Sequence, residues 1–274
     1  MSRKWLAGPY LIWMALFILI PMILVMYYAL TRTVGGQTVF TLRGFQMAFE
    51  PMYLHVLWRS VRVAAISTAI CLLLGYPVAY ILASREFSQK STLFFLFAVP
   101  MWMNYLLRTY AWLSILENNG VLNNILNAVK LPSLNILYTD QAVILGMVYN
   151  FLPFMILPIR TSLMKIDYSL IESAQDLGAN PPTVFRRVVF PLSIPGVISG
   201  ITMVFMPAAT TFIIPSLLGG GQYVLIGNLI ERQFLSAYDW NFGAALSLIL
   251  MVVILLSMAI INKVDKGSEG GTLM

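Results

Sequence analysis

The strongest constraint on this chain is a series of long apolar runs that contain no charge. Residues 9–30, 63–83, 91–107, 141–159 and 240–262 hold no Asp, Glu, Lys or Arg, and neither does the whole of 188–230. A helix that crosses a bilayer needs about 20 mostly apolar residues, because the hydrocarbon is about 30 Å thick and each residue rises about 1.5 Å. The 188–230 stretch is too long for one helix, and Gly219-Gly220-Gly221 breaks it. Six spans are therefore expected, at about 9–30, 60–83, 91–114, 140–160, 193–215 and 240–262. Composition supports this fold class: 59% of residues are hydrophobic and 10% charged, whereas a soluble domain is about 25% charged. So few charges cannot cover a soluble surface, and a chain this apolar does not stay disordered. The expected class is an all-α integral membrane protein folded as a single domain over 1–274.

The first run also resembles a secretory signal, with Arg3-Lys4 ahead of it. It is longer than the roughly 7–15 apolar residues of a signal core, and no small-residue cleavage site follows Leu30, so an uncleaved helix is expected. Orientation follows from Lys and Arg, which favour the cytoplasmic side. With the N-terminus inside, that side holds Arg3, Lys4, Arg85, Lys90, Arg160, Lys165, Arg186, Arg187, Lys263 and Lys266. Arg32, Arg43, Arg59, Lys130 and Arg232 fall outside, with Arg62 and Arg108 near helix ends. Both termini are then cytoplasmic, and 160–192 is the long cytoplasmic loop. The net charge of +6 comes from scattered residues that act as topology signals, so no nucleic-acid partner is expected. The partner implied by composition is the lipid bilayer.

Several kinds of chemistry are missing. No GxxxxGK[ST] phosphate loop occurs, and His55 is the single histidine. Cys71 is the single cysteine, so a metal site, an internal disulfide and a Ser/His/Asp set are not expected. No cofactor and no catalytic residue is assigned. No acid or base occupies the middle of an expected span, unlike most proton-coupled transporters. Pro21, Pro77, Pro100, Pro153, Pro158, Pro195 and Pro207 lie in or at the ends of spans. Such prolines kink helices and suit a moving bundle around a pathway. Together these features read as a passive pathway driven by another subunit.

The cytoplasmic loop has its own order. Leu170, Ile171, Ala174 and Leu177 recur at helical spacing. Asp167 or Ser169 can cap the start, and Gly178 stands where a helix ends in a left-handed residue. A second short helix then begins, with Asn180 as cap and Pro181 at its first position, running towards Phe190-Pro191. The exposed apolar face of this helix–turn–helix marks a partner site.

Glu172-Ser173-Ala174, then Gly178, then nine residues and Val188-Val189-Phe190-Pro191 resemble the E-A-A-x-x-x-G-x(9)-I-x-L-P loop of ABC importer permeases. Ser173, Val188 and Phe190 depart modestly from that pattern. The resemblance narrows to permeases of polyamine-type importers, closest to the B-type subunits of spermidine/putrescine systems. Gly75-Tyr76-Pro77-Val78-Ala79, Leu152-Pro153-Phe154-Met155 and Leu218-Gly219-Gly220-Gly221 carry it, as do Pro100…Asn104…Arg108…Tyr110 and Asp239-Trp240…Phe242-Gly243.

The resemblance implies a MetI-like, type I importer permease with a cytoplasmic coupling helix between helices four and five, within 164–192. It implies a second homologous permease, two ATP-binding subunits, an external or periplasmic substrate-binding protein, and a bacterial inner membrane. Docking to an ATP-binding subunit would fall to Leu170, Ile171, Glu172, Ser173, Ala174, Asp176, Leu177 and Gly178, with Pro191 passing motion to helix five. A small cationic substrate suits aromatic faces and carboxylates. The expected pathway residues are Trp102, Asn104, Tyr105, Tyr110, Tyr149, Phe154 and Asp239. Related importers of iron, thiamine or phosphonate share much of the pattern, and a stand-alone secondary transporter is the reading from a different class.

Overall fold

A computed structural model describes residues 8–34, 37–84, 99, 101–221 and 223–270. The expected third span lies partly outside these residues, as do its Pro100 kink and the basic residues Arg3, Lys4, Arg85 and Lys90.

Helix α1 covers 8–30, with a π turn at Ala15–Leu19. Strands β1 (Thr31–Val34) and β2 (Gln37–Phe40) pair antiparallel, with Thr31 opposite Phe40 and Arg32 opposite Val39. There follow α2 (Arg43–Ala48), α3 (Pro51–Ala83), α4 (Tyr105–Leu116), α5 (Val121–Ala128), α6 (Asp140–Leu163) and α7 (Tyr168–Asp176). Helix α8 (Pro181–Thr210) contains a second π turn at Phe185–Val189. Helices α9 (Ile213–Leu218), α10 (Ile226–Leu235) and α11 (Trp240–Gly270) complete the described chain.

Among the described residues, five helices are long and apolar enough to cross a membrane: Tyr10–Leu30, Pro51–Ala83, Asp140–Leu163, Pro181–Thr210 and Trp240–Ile261. Helix α3 has 33 residues, about 50 Å at about 1.5 Å per residue. That exceeds the hydrocarbon thickness of about 30 Å, so its first turns, with His55, Arg59 and Arg62, have length to spare beyond the lipid. Helix α8 starts at Pro181, well before the expected start of a span at 193. The expected second short helix of the loop is not separate; it runs into the span. A π turn stands at the junction: Phe190 N–H donates to Phe185 O, one residue wider than an α bond. The wider turn lies just ahead of Pro191, which has no N–H to give. The helix ends at Thr210, and the break at Thr211-Phe212 precedes α9.

The chain forms two compact units, Met1–Arg59 with Leu225–Ile254, and Ser60–Val224 with Leu255–Met274. In the first, Ala29 at the end of α1 packs with Ala244 and Ala245 of α11, under Val25, Tyr28, Phe45, Phe234 and Leu248. Asn241 Nδ2 donates to the carbonyls of Tyr28 and Thr31, which clamps the end of α1 to the start of α11.

In the second unit, α6 and α8 lie against each other along most of their length. Small residues allow this approach: a Cβ on Gly196 would come 2.5 Å from Ser162 Cβ and 2.7 Å from the Pro158 carbonyl. Gly200 sits just as tightly on Met155. Such close backbones are how helices associate in lipid, where apolar burial gives no advantage over contact with lipid tails. The fully buried side chains of this unit include Val63, Met147, Met155, Ile156, Ile159, Val204 and Ile214.

Candidate functional site

The loop between α6 and α8 is built from local chemistry. Asp167 Oδ1 accepts the Ser169 N–H at 3.0 Å and caps α7. The Asp167 carboxyl is held below its ordinary value, chiefly by that backbone N–H and then by the Ser169 hydroxyl. At the other end, Gly178 N–H donates to Gln175 O at 2.8 Å and Ala179 N–H to Ala174 O at 3.0 Å. This pair of bonds is a Schellman closure, which needs a left-handed residue between helix and exit. Gly178 supplies it at φ +82°. A Cβ there would meet nothing within 4 Å, so backbone conformation and not space selects glycine. Asn180 Oδ1 then accepts the Thr183 N–H at 3.1 Å and starts α8.

None of α7 is buried. Its apolar stripe divides. Ile171 and Ala174 are half-buried, while Leu170 is 47% and Leu177 88% exposed. Glu172, Ser173, Asp176 and Gly178 are exposed beside those two leucines, and Pro191 is exposed on α8. Ile171 also lines a cavity of about 600 Å³ with Tyr80, Ser84, Met164, Tyr168 and Gln175.

Behind the loop, an aromatic cluster joins α3 and α8. Phe185 stands edge-on to Tyr76 at 5.9 Å and to Tyr80 at 5.6 Å, and Phe190 lies 5.9 Å from Tyr76. Arg160 Nε donates to Leu82 O at 3.2 Å, so α6 ties down the end of α3. A displacement of α7 and the π turn therefore meets α3, α6 and α8 together. Sequence reasoning missed this cluster, although Tyr76 and Tyr80 share a face at i, i+4.

Within the second unit, the expected pathway residues lie on α4, on α6 and in the stretch just before α4. Trp102 is 78% exposed. Asn104 accepts the N–H groups of Leu106 at 2.8 Å and Leu107 at 3.4 Å and is the cap of α4. The Tyr105 hydroxyl lies 3.0 Å from Thr211 Oγ1, which ties α4 to the break after α8. Tyr110 is exposed; Tyr149 and Phe154 are each 37% exposed, and Tyr149 packs edge-on to Trp112 at 5.3 Å. Asp239 belongs to the other unit and caps α11 by accepting the Phe242 N–H at 3.1 Å.

Two buried polar side chains were not foreseen. Arg108 is 7% exposed, with its guanidinium 5.9 Å from the Tyr105 ring centre and Nε without a hydrogen-bond partner among the described residues. Asn150 is 1% exposed in α6; its Nδ2 donates to Gly146 O at 2.9 Å. The visible signal for both was a polar residue set among apolar neighbours.

This geometry, a capped and exposed helix joined to a bundle of long apolar helices, can transmit movement. The family described as "Binding-protein-dependent transport system inner membrane component" matches residues 72–269. The chain is a permease of that family. The permease is 39% identical over 259 residues to the spermidine/putrescine transport system permease protein PotB of Haemophilus influenzae, covering 93% of the permease and 91% of that relative. With PotB of Escherichia coli it shares 40% identity over 247 residues, covering 88% and 90%. A bacterial ABC transporter involved in the import of the acidic polysaccharide alginate superposes with a TM-score of 0.75 at 20% identity, over 96% of each chain. The inward-facing MetNI methionine ABC transporter does so with a TM-score of 0.57 at 16% identity, over 81% of the permease and 98% of that chain. At those identities the two structures speak for the fold, which is that of MetI-like ABC permeases.

Proposed function

We propose that this permease forms half of the membrane pathway of an ATP-driven importer for spermidine and putrescine. The observation that carries the reading is identity of 39–40% to spermidine/putrescine permeases over most of both chains. A second, homologous permease completes the pathway, two partner subunits hydrolyse ATP, and an external binding protein delivers the substrate. Both termini face the cytoplasm of a bacterial cell.

In this account α7 seats in a groove of an ATP-binding subunit. Leu170 and Leu177 supply apolar contact, and Glu172 and Asp176 meet basic or polar groups. The Asp167 cap and the Gly178 closure keep α7 a rigid peg. When ATP closes its pair of subunits, α7 moves with them. The aromatic cluster of Tyr76, Tyr80, Phe185 and Phe190 passes that displacement to α3 and α8, and the pathway turns from inward-open to outward-open. Trp102, exposed beside the Asn104 cap, would contact the substrate, its ring offering a face to a cation.

The test is reconstitution of the permease with its partner subunits and binding protein. Labelled spermidine or putrescine should enter proteoliposomes only when ATP and the binding protein are both present. Uptake by the permease alone would overturn the reading in favour of a secondary transporter.

A further inference from the structure

A second polar site lies in the unit formed by Met1–Arg59 and Leu225–Ile254. The hairpin β1–β2, the start of α2 and the cap of α11 enclose a pocket of about 110 Å³ whose lining includes Thr31, Arg32, Thr41, Arg43, Asp239 and Asn241. Its walls are held by backbone: Thr41 N–H donates to Leu30 O at 2.9 Å, Arg43 N–H to Thr41 Oγ1 at 3.2 Å, and Asn241 clamps Tyr28 and Thr31. Arg32, Arg43 and Asp239 are exposed, and no ion pair joins any of them to another described residue. The Asp239 carboxylate already accepts the Phe242 N–H, so the pocket is lined by two arginines and one partly engaged carboxylate. The pocket is net positive. It repels a polycation, which argues against Asp239 as a contact for a cationic substrate.

The surroundings point to a protein. Val39 is 50%, Phe40 68% and Leu42 50% exposed, directly opposite or beside the pocket residues in the hairpin register and chain. Arginines and an exposed aromatic such as Phe40 are the side chains that protein interfaces concentrate. Guanidinium is also the cation that grips a carboxylate by two parallel hydrogen bonds. With both termini cytoplasmic, as proposed, the segment that follows α1 and the segment that precedes α11 are external.

We propose that this pocket receives an Asp or Glu side chain of the external substrate-binding protein, held by Arg32 and Arg43, with Val39, Phe40 and Leu42 as the apolar rim. The proposal rests on the reading that such a protein delivers the substrate.

The test uses the assembled transporter and measures ATPase activity against the concentration of substrate-loaded binding protein. Arg32→Glu with Arg43→Glu should raise the half-saturating concentration at least tenfold. The milder Arg32→Gln with Arg43→Gln should raise it less and flatten its dependence on salt, because charge attraction is screened. An acidic-to-Arg change on the binding protein should restore the Glu double variant. A half-saturating concentration within twofold of wild type overturns the pocket. Loss of the second permease from the purified complex also overturns it, because that chain would then be the occupant. A wild-type complex that the binding protein does not stimulate overturns the functional reading, and this proposal with it.

Discussion

The hydroxyl of Tyr76 stands 2.8 Å from Oγ of Ser193, and Ser193 Oγ is also 2.9 Å from the Phe190 carbonyl that accepts its proton. The two side chains join α3 to the part of α8 that follows the π turn, inside the aromatic cluster behind α7. If α7 is the lever, this is where the lever is fastened.

Tyr76→Phe removes the inter-helix bond and keeps the ring, while Ser193 retains the Phe190 carbonyl. The loss should be about 0.5–1.5 kcal/mol, a modest drop in thermal midpoint of the purified complex. Transport per ATP hydrolysed should fall severalfold because α3 follows α8 less faithfully. Parallel measurement of ATPase and uptake checks this; an unchanged ratio would remove the bond from the coupling route.

Gly178 tests backbone conformation apart from space. A residue with a Cβ pays about 1–2 kcal/mol in the left-handed region, and Asn tolerates it best. Retention of the ATP-binding subunit during purification should rank Gly178 above Gly178→Asn, then Gly178→Ala, then Gly178→Val. If Gly178→Ala retains partner and transport at wild-type levels, the closure is not needed.

Asp167 gives a pH signature. Its folded pKa lies below the ordinary aspartate value of 3.8, so its stabilising effect is complete above that value and is lost as pH falls through the lower folded value. At neutral pH Asp167→Ala should weaken the helix cap and Asp167→Asn should largely keep it, since the amide oxygen still accepts the Ser169 N–H. The thermal-stability gap between wild type and Asp167→Ala should narrow as pH is lowered below 3.8.

Gly196→Ala places a methyl group 2.5 Å from Ser162 Cβ, with the Pro158 carbonyl at 2.7 Å. Backbone must move, so α6 and α8 separate. Overpacking of this kind costs about 1–3 kcal/mol or more. Yield and thermal midpoint should drop sharply, and Ser162→Gly should recover only part of the loss because the carbonyl remains.

The bundle was legible because lipid forces a simple code: charges sit at the ends, and five of the six expected spans coincide in large part with long apolar helices. Gly178 was legible because a helix exit needs a left-handed residue. Other features were hidden for physical reasons. The short helix expected to run towards Pro191 instead continues into the span, with a π turn at Phe185–Val189 that no local spacing announces. Asn104 reads as a polar group beside a pathway, yet its acceptor serves the free N–H groups at the start of α4. Cutting the chain at charges starts the second apolar run at 63 and the expected span at 60, whereas α3 carries Arg59 and Arg62 as helical residues from Pro51 onward. The meeting of Tyr76, Phe185 and Phe190 joins residues more than 100 positions apart, and no local spacing announces it.

The central claim is that α7 brings the power of ATP hydrolysis into this pathway. It is tested most directly by ATP-driven spermidine uptake into proteoliposomes holding the full complex, compared between wild type and Glu172→Lys. Wild-type uptake should depend on the binding protein, and the Glu172→Lys complex should lose both uptake and the ATP-binding subunit. Glu172→Lys complexes that keep the subunit and import spermidine at the wild-type rate would contradict it.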